Sequence, residues 1–303
     1  MTTPRIYVGP TTDPALLDAV STAGAGVTDD PGDASAIVWF GGSPKDFAAI
    51  DHEGIRWVQL PSAGIESWFA AGALRDGKTY TCAAGTYAET VAEQALALMI
   101  AGARQLPELA RRQSWGRATS GTLFDSTVGI VGCGGIGRAL IDLLRPFRAD
   151  ILAITRSGTP VPGAARTLTP DHLDDVLRSS SYVVIGAPAT ADTQHLIGAR
   201  ELELMRTDAY LVNIARGSLI DTDALVTALA AGTIAGAGLD VTDPEPLPDG
   251  HPLWTEPRAL ITPHSANPRH LLMKQLAVRV HENVSRYVSG QPLEGLVDLS
   301  RGY

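Results

Sequence analysis

Short apolar runs recur along the 303-residue chain, each closed by glycine, proline or a polar turn, with helix-period patterns between them. Residues 5–8 end at Gly9-Pro10, and Asp13-Pro14 opens a helical pattern carrying Leu17, Ala19 and Val20. Residues 37–40 and 56–60 read as further strands, and 80–83 as a short one. From 89 to about 110 the pattern is helical and apolar on more than one face (Val91, Ala95, Leu98, Met99, Leu106), as expected of a helix buried between two domains. Strands then recur at 128–131, 151–154, 182–185, 209–214, 235–239 and 259–262, and a last helix runs from about 267 to Ser289-Gly290. Such runs alternating with helices predict parallel sheets covered on both faces, an α/β fold. The tail 293–303 is too short for a domain and is expected to pack back on the N-terminal part. No internal repeat or low-complexity segment interrupts the pattern.

The strand at 128 breaks into Gly132, Gly134 and Gly137 before a helical pattern begins, the context in which G-x-G-x-x-G points to dinucleotide binding. Gly132 allows the sharp turn, Gly134 lets a pyrophosphate approach the backbone, and Gly137 lets helix and strand pack closely. Free N–H groups at the helix start, at Gly135 and Ile136, and the helix dipole would hold the phosphates. An NAD site ordinarily places a carboxylate at the end of the next strand, on the ribose 2′-OH. Here that end reads Thr155-Arg156-Ser157. A guanidinium fork suits a 2′-phosphate, so NADP(H) is favoured and NAD(H) stays open, the alternative being that Arg156 is only a solvated loop residue. The strand ends Ala187-Pro188 and Ile214-Ala215 are expected to line the same site.

Length suggests two domains; 45% hydrophobic and 19% charged residues are ordinary for a globular enzyme. The net charge of −9, with no Lys/Arg block, argues against nucleic acid and membrane surfaces as partners. An anionic substrate must then be held by local cations and N–H groups. The two cysteines lack metal-type spacing, and neither a signal-type stretch nor a membrane-length apolar run is present, so a cytoplasmic protein with no metal is expected.

Strand ends of one parallel sheet converge on one crevice, and three successive ends present Arg216, Asp240 with Glu245, and His264. Singly, each has a plain reading: a capped loop histidine, a solvated carboxylate in a proline-rich loop, an arginine paired with Asp221 or Asp223. Together they suit hydride transfer between nicotinamide and a 2-keto or 2-hydroxy acid. Histidine supplies the proton that the nascent alkoxide needs, a neighbouring Glu245 favours its charged form, and Arg216 holds the substrate carboxylate and polarises the carbonyl. Asp240 is placed to accept from the nicotinamide carboxamide. The loop Ser62-Ala63-Gly64, after the strand at 56–60, is a candidate small-molecule site or an ordinary turn.

The stretches 128–137, Val-Asn-Ile-Ala-Arg-Gly-Ser-Leu-Ile-Asp (212–221), Gly-Leu-Asp-Val-Thr-Asp-Pro-Glu-Pro-Leu-Pro (238–248), Ile-Thr-Pro-His-Ser-Ala-Asn (261–267) and the helix at 91–99 resemble the D-2-hydroxyacid dehydrogenase family. The resemblance implies two Rossmann-like doubly wound domains with an active-site cleft between them. A discontinuous substrate domain (1–100 plus 285–303) would enclose a dinucleotide-binding domain (101–284), with linking helices near 88–110 and 267–289. It implies that Arg216 and His264 bind substrate, that Glu245 and His264 form the acid/base pair, and that Ser62, Ala63 and Gly64 serve the substrate carboxylate. It also implies a homodimer through the cofactor domain. Glu245 departs from the formate dehydrogenase branch, which has Gln there, while Arg156-Ser157 and the C-terminal stretch look like glyoxylate/hydroxypyruvate reductases. A short-form phosphoglycerate dehydrogenase and a non-catalytic dinucleotide-sensing protein, like the C-terminal-binding corepressors, remain the alternatives.

Overall fold

The computed structural model describes residues 3–302, apart from the side chain of Arg269. The chain divides into two compact units, Met1–Tyr87 with Pro268–Tyr303, and Ala88–Asn267. The first holds strands β1 (Arg5–Pro10), β2 (Gly26–Thr28), β3 (Ala36–Phe40), β4 (Trp57–Gln59) and β5 (Thr79–Thr81), with helices α1 (Pro14–Thr22), α2 (Pro44–Ile50) and α3 (Glu66–Ala70). The strands are parallel, in the order β2-β1-β3-β4-β5. Asp13 caps α1 as its sequence predicts, accepting from the Ala15 N–H at 2.8 Å.

The second unit holds α4 (Ala88–Ala103), α5 (Leu106–Arg111), β6 (Thr127–Val131), α6 (Gly135–Leu144), β7 (Asp150–Ile154), β8 (Arg166–Leu168), α7 (Leu173–Ser179), β9 (Tyr182–Ile185), α8 (Ala199–Leu204), β10 (Tyr210–Asn213), α9 (Thr222–Ala231), β11 (Gly236–Leu239) and β12 (Ala259–Ile261). Its seven parallel strands run in the order β12-β11-β10-β9-β6-β7-β8. The helix α10 (Arg269–Val288) returns the chain to the first unit.

Both sheets are covered on both faces, so their strands are apolar at consecutive positions. In β3, Ala36 and Val38 face Leu16, Val20 and the α10 residues Leu276 and Val280, while Ile37 and Trp39 face Phe47 and Trp68. Trp39, Phe47 and Trp68 meet edge to face at centroid distances of 5.3 to 6.2 Å. A buried polar knot ties α10 to this sheet: Asn283 donates to Gln59 Oε1 (2.8 Å) and to the Glu294 carbonyl (2.9 Å), and Thr81 donates to the same Gln59 oxygen. The tail does pack on the first unit, where the Val297 N–H bonds the Tyr80 carbonyl and the Cys82 N–H bonds that of Gly295. In the second unit Val128, Ile130, Val184 and Val212 meet α4 and α6, and Val131, Val183, Ile185 and Leu211 meet α7, α8 and α9. The doubly wound α/β architecture is the one expected.

Two differences from the sequence reading have plain causes. The helix expected over 89–110 stops at Ala103: Gln105 takes a left-handed φ of 52°, and Pro107 would set its ring against the Ala103 carbonyl, which accepts instead from the Gly121 N–H at 2.7 Å. Strands β2 and β8, not anticipated, are three-residue edge strands with little apolar content. The units divide at 87/88 and 267/268, so α4 lies wholly in the second unit and α10 wholly in the first.

Candidate active site

The chemistry-bearing residues of the second unit lie where the connections after its strands leave the sheet. Order reverses between β6 and β9, the switch point at which doubly wound sheets take ligands. After β6 the chain turns at Gly132 (φ 88°), whose N–H bonds the Ile154 carbonyl at 3.1 Å. A Cβ there would stand 2.3 Å from the Ala187 nitrogen, so only glycine fits. Gly134 is the reverse case: a Cβ there would meet nothing within 4 Å, which leaves this backbone open to an approaching group. Gly137 brings α6 against Cys133, whose thiol is pushed up to about 11 by burial. Gly134 caps α6 without a side-chain hydrogen bond, and the first N–H groups of the helix, at Gly135 and Ile136, are of the kind that suits an anionic group.

Beside this turn lies a cavity of about 320 Å³ whose walls include Gly132, Thr155, Arg156, Ala187, Pro188 and Thr190. Thr155 Oγ1 is buried there with no hydrogen-bond partner among the described residues, an orphaned polar atom suited to a bound hydroxyl or phosphate oxygen. These features fit a dinucleotide. Ser157, exposed, bonds Thr159 at 2.7 Å, and Ile214 is buried beside Ala215.

The loops after β10, β11 and β12 are knitted together by backbone. Asp240 N–H bonds the Asn213 carbonyl (2.9 Å), the Asp240 carbonyl accepts from His264 N–H (2.8 Å), and Thr262 N–H bonds the Leu239 carbonyl. Gly217 rests directly on the Thr242-Asp243 backbone, 1.9 Å being the distance a Cβ would have from Thr242 C. Arg216 is thereby held beside the loop that carries Glu245. Asn213 shapes the arginine turn, donating to the Arg216 carbonyl (2.8 Å) and accepting from the Ala215 N–H (3.1 Å). Asp221, one candidate partner for Arg216, caps α9 through the Ala224 N–H. His264 Nδ1 and Glu245 Oε1 are 2.7 Å apart, both side chains partly exposed.

Asp240 has a task that spacing alone did not suggest. It is 1% exposed; its Oδ1 accepts from Thr262 Oγ1 (2.5 Å) and Ser265 N–H (3.0 Å), and its Oδ2 from Ala266 N–H (3.1 Å). The sequence reading also passed over Asn213, Thr262 and Gln94. Only Asn213, a polar residue closing an apolar strand, carried a local signal.

Ser62, Ala63 and Gly64 lie in the first unit, after β4. Ser62 Oγ closes the turn onto the Gly64 carbonyl at 2.6 Å, and among the described residues no acceptor takes the N–H of Ala63 or Gly64. Among the described residues no group of three or more His, Cys, Asp or Glu is placed to hold a metal ion, and no helix is long and apolar enough to cross a membrane.

Residues 96–266 match the family model described as D-isomer specific 2-hydroxyacid dehydrogenase, NAD binding domain. An "uncharacterized protein in proB 3'region" of Corynebacterium melassecola is 38% identical over 88% of this chain and 90% of its own length. A protein named glyoxylate reductase from Aeropyrum pernix is 33% identical over 80% of this chain and 76% of its own. Among solved structures, a D-isomer specific 2-hydroxyacid dehydrogenase from Xanthobacter autotrophicus, in complex with NADPH and MES, superposes with a TM-score of 0.87 at 27% identity, covering all of both chains.

Proposed function

Since the chain belongs to the D-isomer-specific 2-hydroxyacid dehydrogenase family and is an NAD(P)-dependent oxidoreductase of that family, we propose that it reduces a small 2-keto acid, glyoxylate or hydroxypyruvate, with NADPH. The observation that carries the reading is the 2.7 Å pair of His264 and Glu245, set beside the Arg216 turn on one edge of the sheet. Bound nicotinamide supplies the hydride, or accepts it in the reverse direction. With Nδ1 engaged by Glu245, His264 has Nε2 left to give a proton to the alkoxide oxygen, or to take one from the alcohol. Glu245 fixes the ring's tautomer and offsets the charge it carries when protonated. Arg216, always charged, binds the substrate carboxylate and draws electron density from the carbonyl.

For the cofactor, the N–H groups at the start of α6 take the pyrophosphate, and Thr155 and Arg156 the adenosine ribose with its 2′-phosphate. Preference for NADPH rests on Arg156 in the cavity wall and on Thr155-Arg156-Ser157 standing where an NAD site has a carboxylate. Support for glyoxylate comes from the name of the Aeropyrum relative. The exposed Ile100, Leu106, Trp115, Phe124 and Leu143 of the second unit are assigned to a homodimer contact, which light scattering checks. The two cysteines, buried and free, suit a cytoplasmic protein.

The test is initial rates with glyoxylate, hydroxypyruvate, pyruvate and phosphohydroxypyruvate, each with NADPH and NADH. Fastest turnover of glyoxylate or hydroxypyruvate with NADPH is expected. Preference for the phosphorylated acid overturns the substrate assignment, and preference for NADH the cofactor assignment. No turnover with any pair overturns the proposed reaction.

A further inference from the structure

We propose that Gln94 is a positioning residue for His264, acting through Thr262 and Asp240. The proposal rests on the reading of His264 as the acid/base group.

His264 sits in a left-handed backbone conformation, φ 49°, which persists in a non-glycine residue only where the surroundings hold it. Its side chain is 49% exposed, so packing does little of the holding. The turn hangs instead on Asp240. His264 N–H bonds the Asp240 backbone carbonyl, and the next two N–H groups, of Ser265 and Ala266, bond the two oxygens of its carboxylate. Where that carboxylate points therefore decides where the imidazole stands.

A buried carboxylate is held in place by the hydrogen bonds that compensate its desolvation. Four come from the turn itself or from Thr262 in the same loop: Thr262 Oγ1, the Ser265 N–H and hydroxyl, and the Ala266 N–H. The remaining one comes from outside the loop. Gln94, on α4, donates from Nε2 to Thr262 Oγ1 at 2.9 Å and reaches Asp240 Oδ1 at 3.4 Å. A hydroxyl has one proton. Because Thr262 Oγ1 accepts from Gln94, that proton is directed to Asp240, where the 2.5 Å bond is found. One turn earlier on the same helix, Thr90 Oγ1 donates to Asn267 Oδ1 at 3.3 Å. Helix α4 thus grips the 262–267 segment at two points, and Gln94 is the one wired to the histidine turn.

Gln94→Leu keeps the side chain's bulk and removes both donors. Amide hydrogen exchange, which needs no bound cofactor, is expected to accelerate about tenfold or more over 264–266 while β10 and β11 keep their protection. With glyoxylate and NADPH, kcat is expected to fall about tenfold with both KM values within about twofold. In a His264→Ala background the same substitution is expected to cost nothing further, since it acts only through the imidazole. Unchanged exchange at 264–266, or an equal loss of kcat in both backgrounds, overturns the proposal. Failure of the underlying reading looks different: His264→Ala alone would then turn over at the wild-type rate. Should Gln94→Leu not fold, Thr262→Val breaks the same chain and is judged by the same measurements.

Discussion

The two units use one parallel design and treat the corresponding place in opposite ways. In the first, strand order reverses between β1 and β3, and that crevice is filled. Thr11 N–H bonds the Phe40 carbonyl across it at 2.9 Å, and a Cβ at Gly41 would lie 2.0 Å from Thr11 Oγ1. In the second, the reversal between β6 and β9 opens onto the 320 Å³ cavity, with the Gly134 backbone facing open space. Both crevices contain glycines. Gly41 closes chain on chain; Gly134 leaves room for a ligand. The topology offers a site in each unit, and the residues after the strands decide whether it is used.

If the second unit's strand ends are committed to chemistry and the first unit's polar groups to its own stability, single substitutions should separate the two costs. His264→Ala should lower kcat by about 10²–10⁴-fold while changing stability by no more than about 0.5 kcal/mol, as befits a partly exposed residue; steady-state kinetics beside thermal melting checks both. Asp51→Ala should do the converse. Asp51 and Lys78 form an ion pair at 1% and 9% side-chain exposure, and Lys78 also donates to the His52 carbonyl at 2.8 Å. Removing the carboxylate strands a buried ammonium and should cost about 3–5 kcal/mol, read from denaturant unfolding, with NADPH affinity of the folded protein unchanged. Arg156→Ala should have the smallest effect, raising the Kd of NADPH about 10–100-fold and leaving that of NADH within about twofold; titration calorimetry with both cofactors decides it. An equal loss for the two would show that the guanidinium does not read the 2′-phosphate.

What could be read in advance follows the physical range of each signal. Strands such as 37–40 and 182–185 are buried on both faces, so unbroken apolar runs announce them. The glycine turn is local, with strand, turn and helix consecutive. The placement of Arg216, Glu245 and His264 at one edge was legible because parallel strand ends share that edge, so order along the chain predicts neighbourhood in space. Gln94 was not: its partners lie 146 and 168 residues away, and nothing near it distinguishes it from any polar residue on an amphipathic helix. The edge strands β2 and β8 escape for another reason, being half exposed and lacking the apolar density of the central strands. The break at Gln105 was written in Pro107, but a continuing apolar pattern masked it.

The polar knot between Asn283 and Gln59 spans 224 residues of sequence. During synthesis the β-strands of the first unit precede the inserted unit, yet Leu276, Val280 and Val284, which help to cover one face of its sheet, follow it. The whole of 88–267 is made in between, on the order of ten to forty seconds at ordinary elongation rates. Until then that face of the nascent sheet has α1 without α10, while the inserted unit already has all its own strands. The inserted unit can therefore close its sheet before the sheet that precedes it in the chain gains the helix that completes its cover.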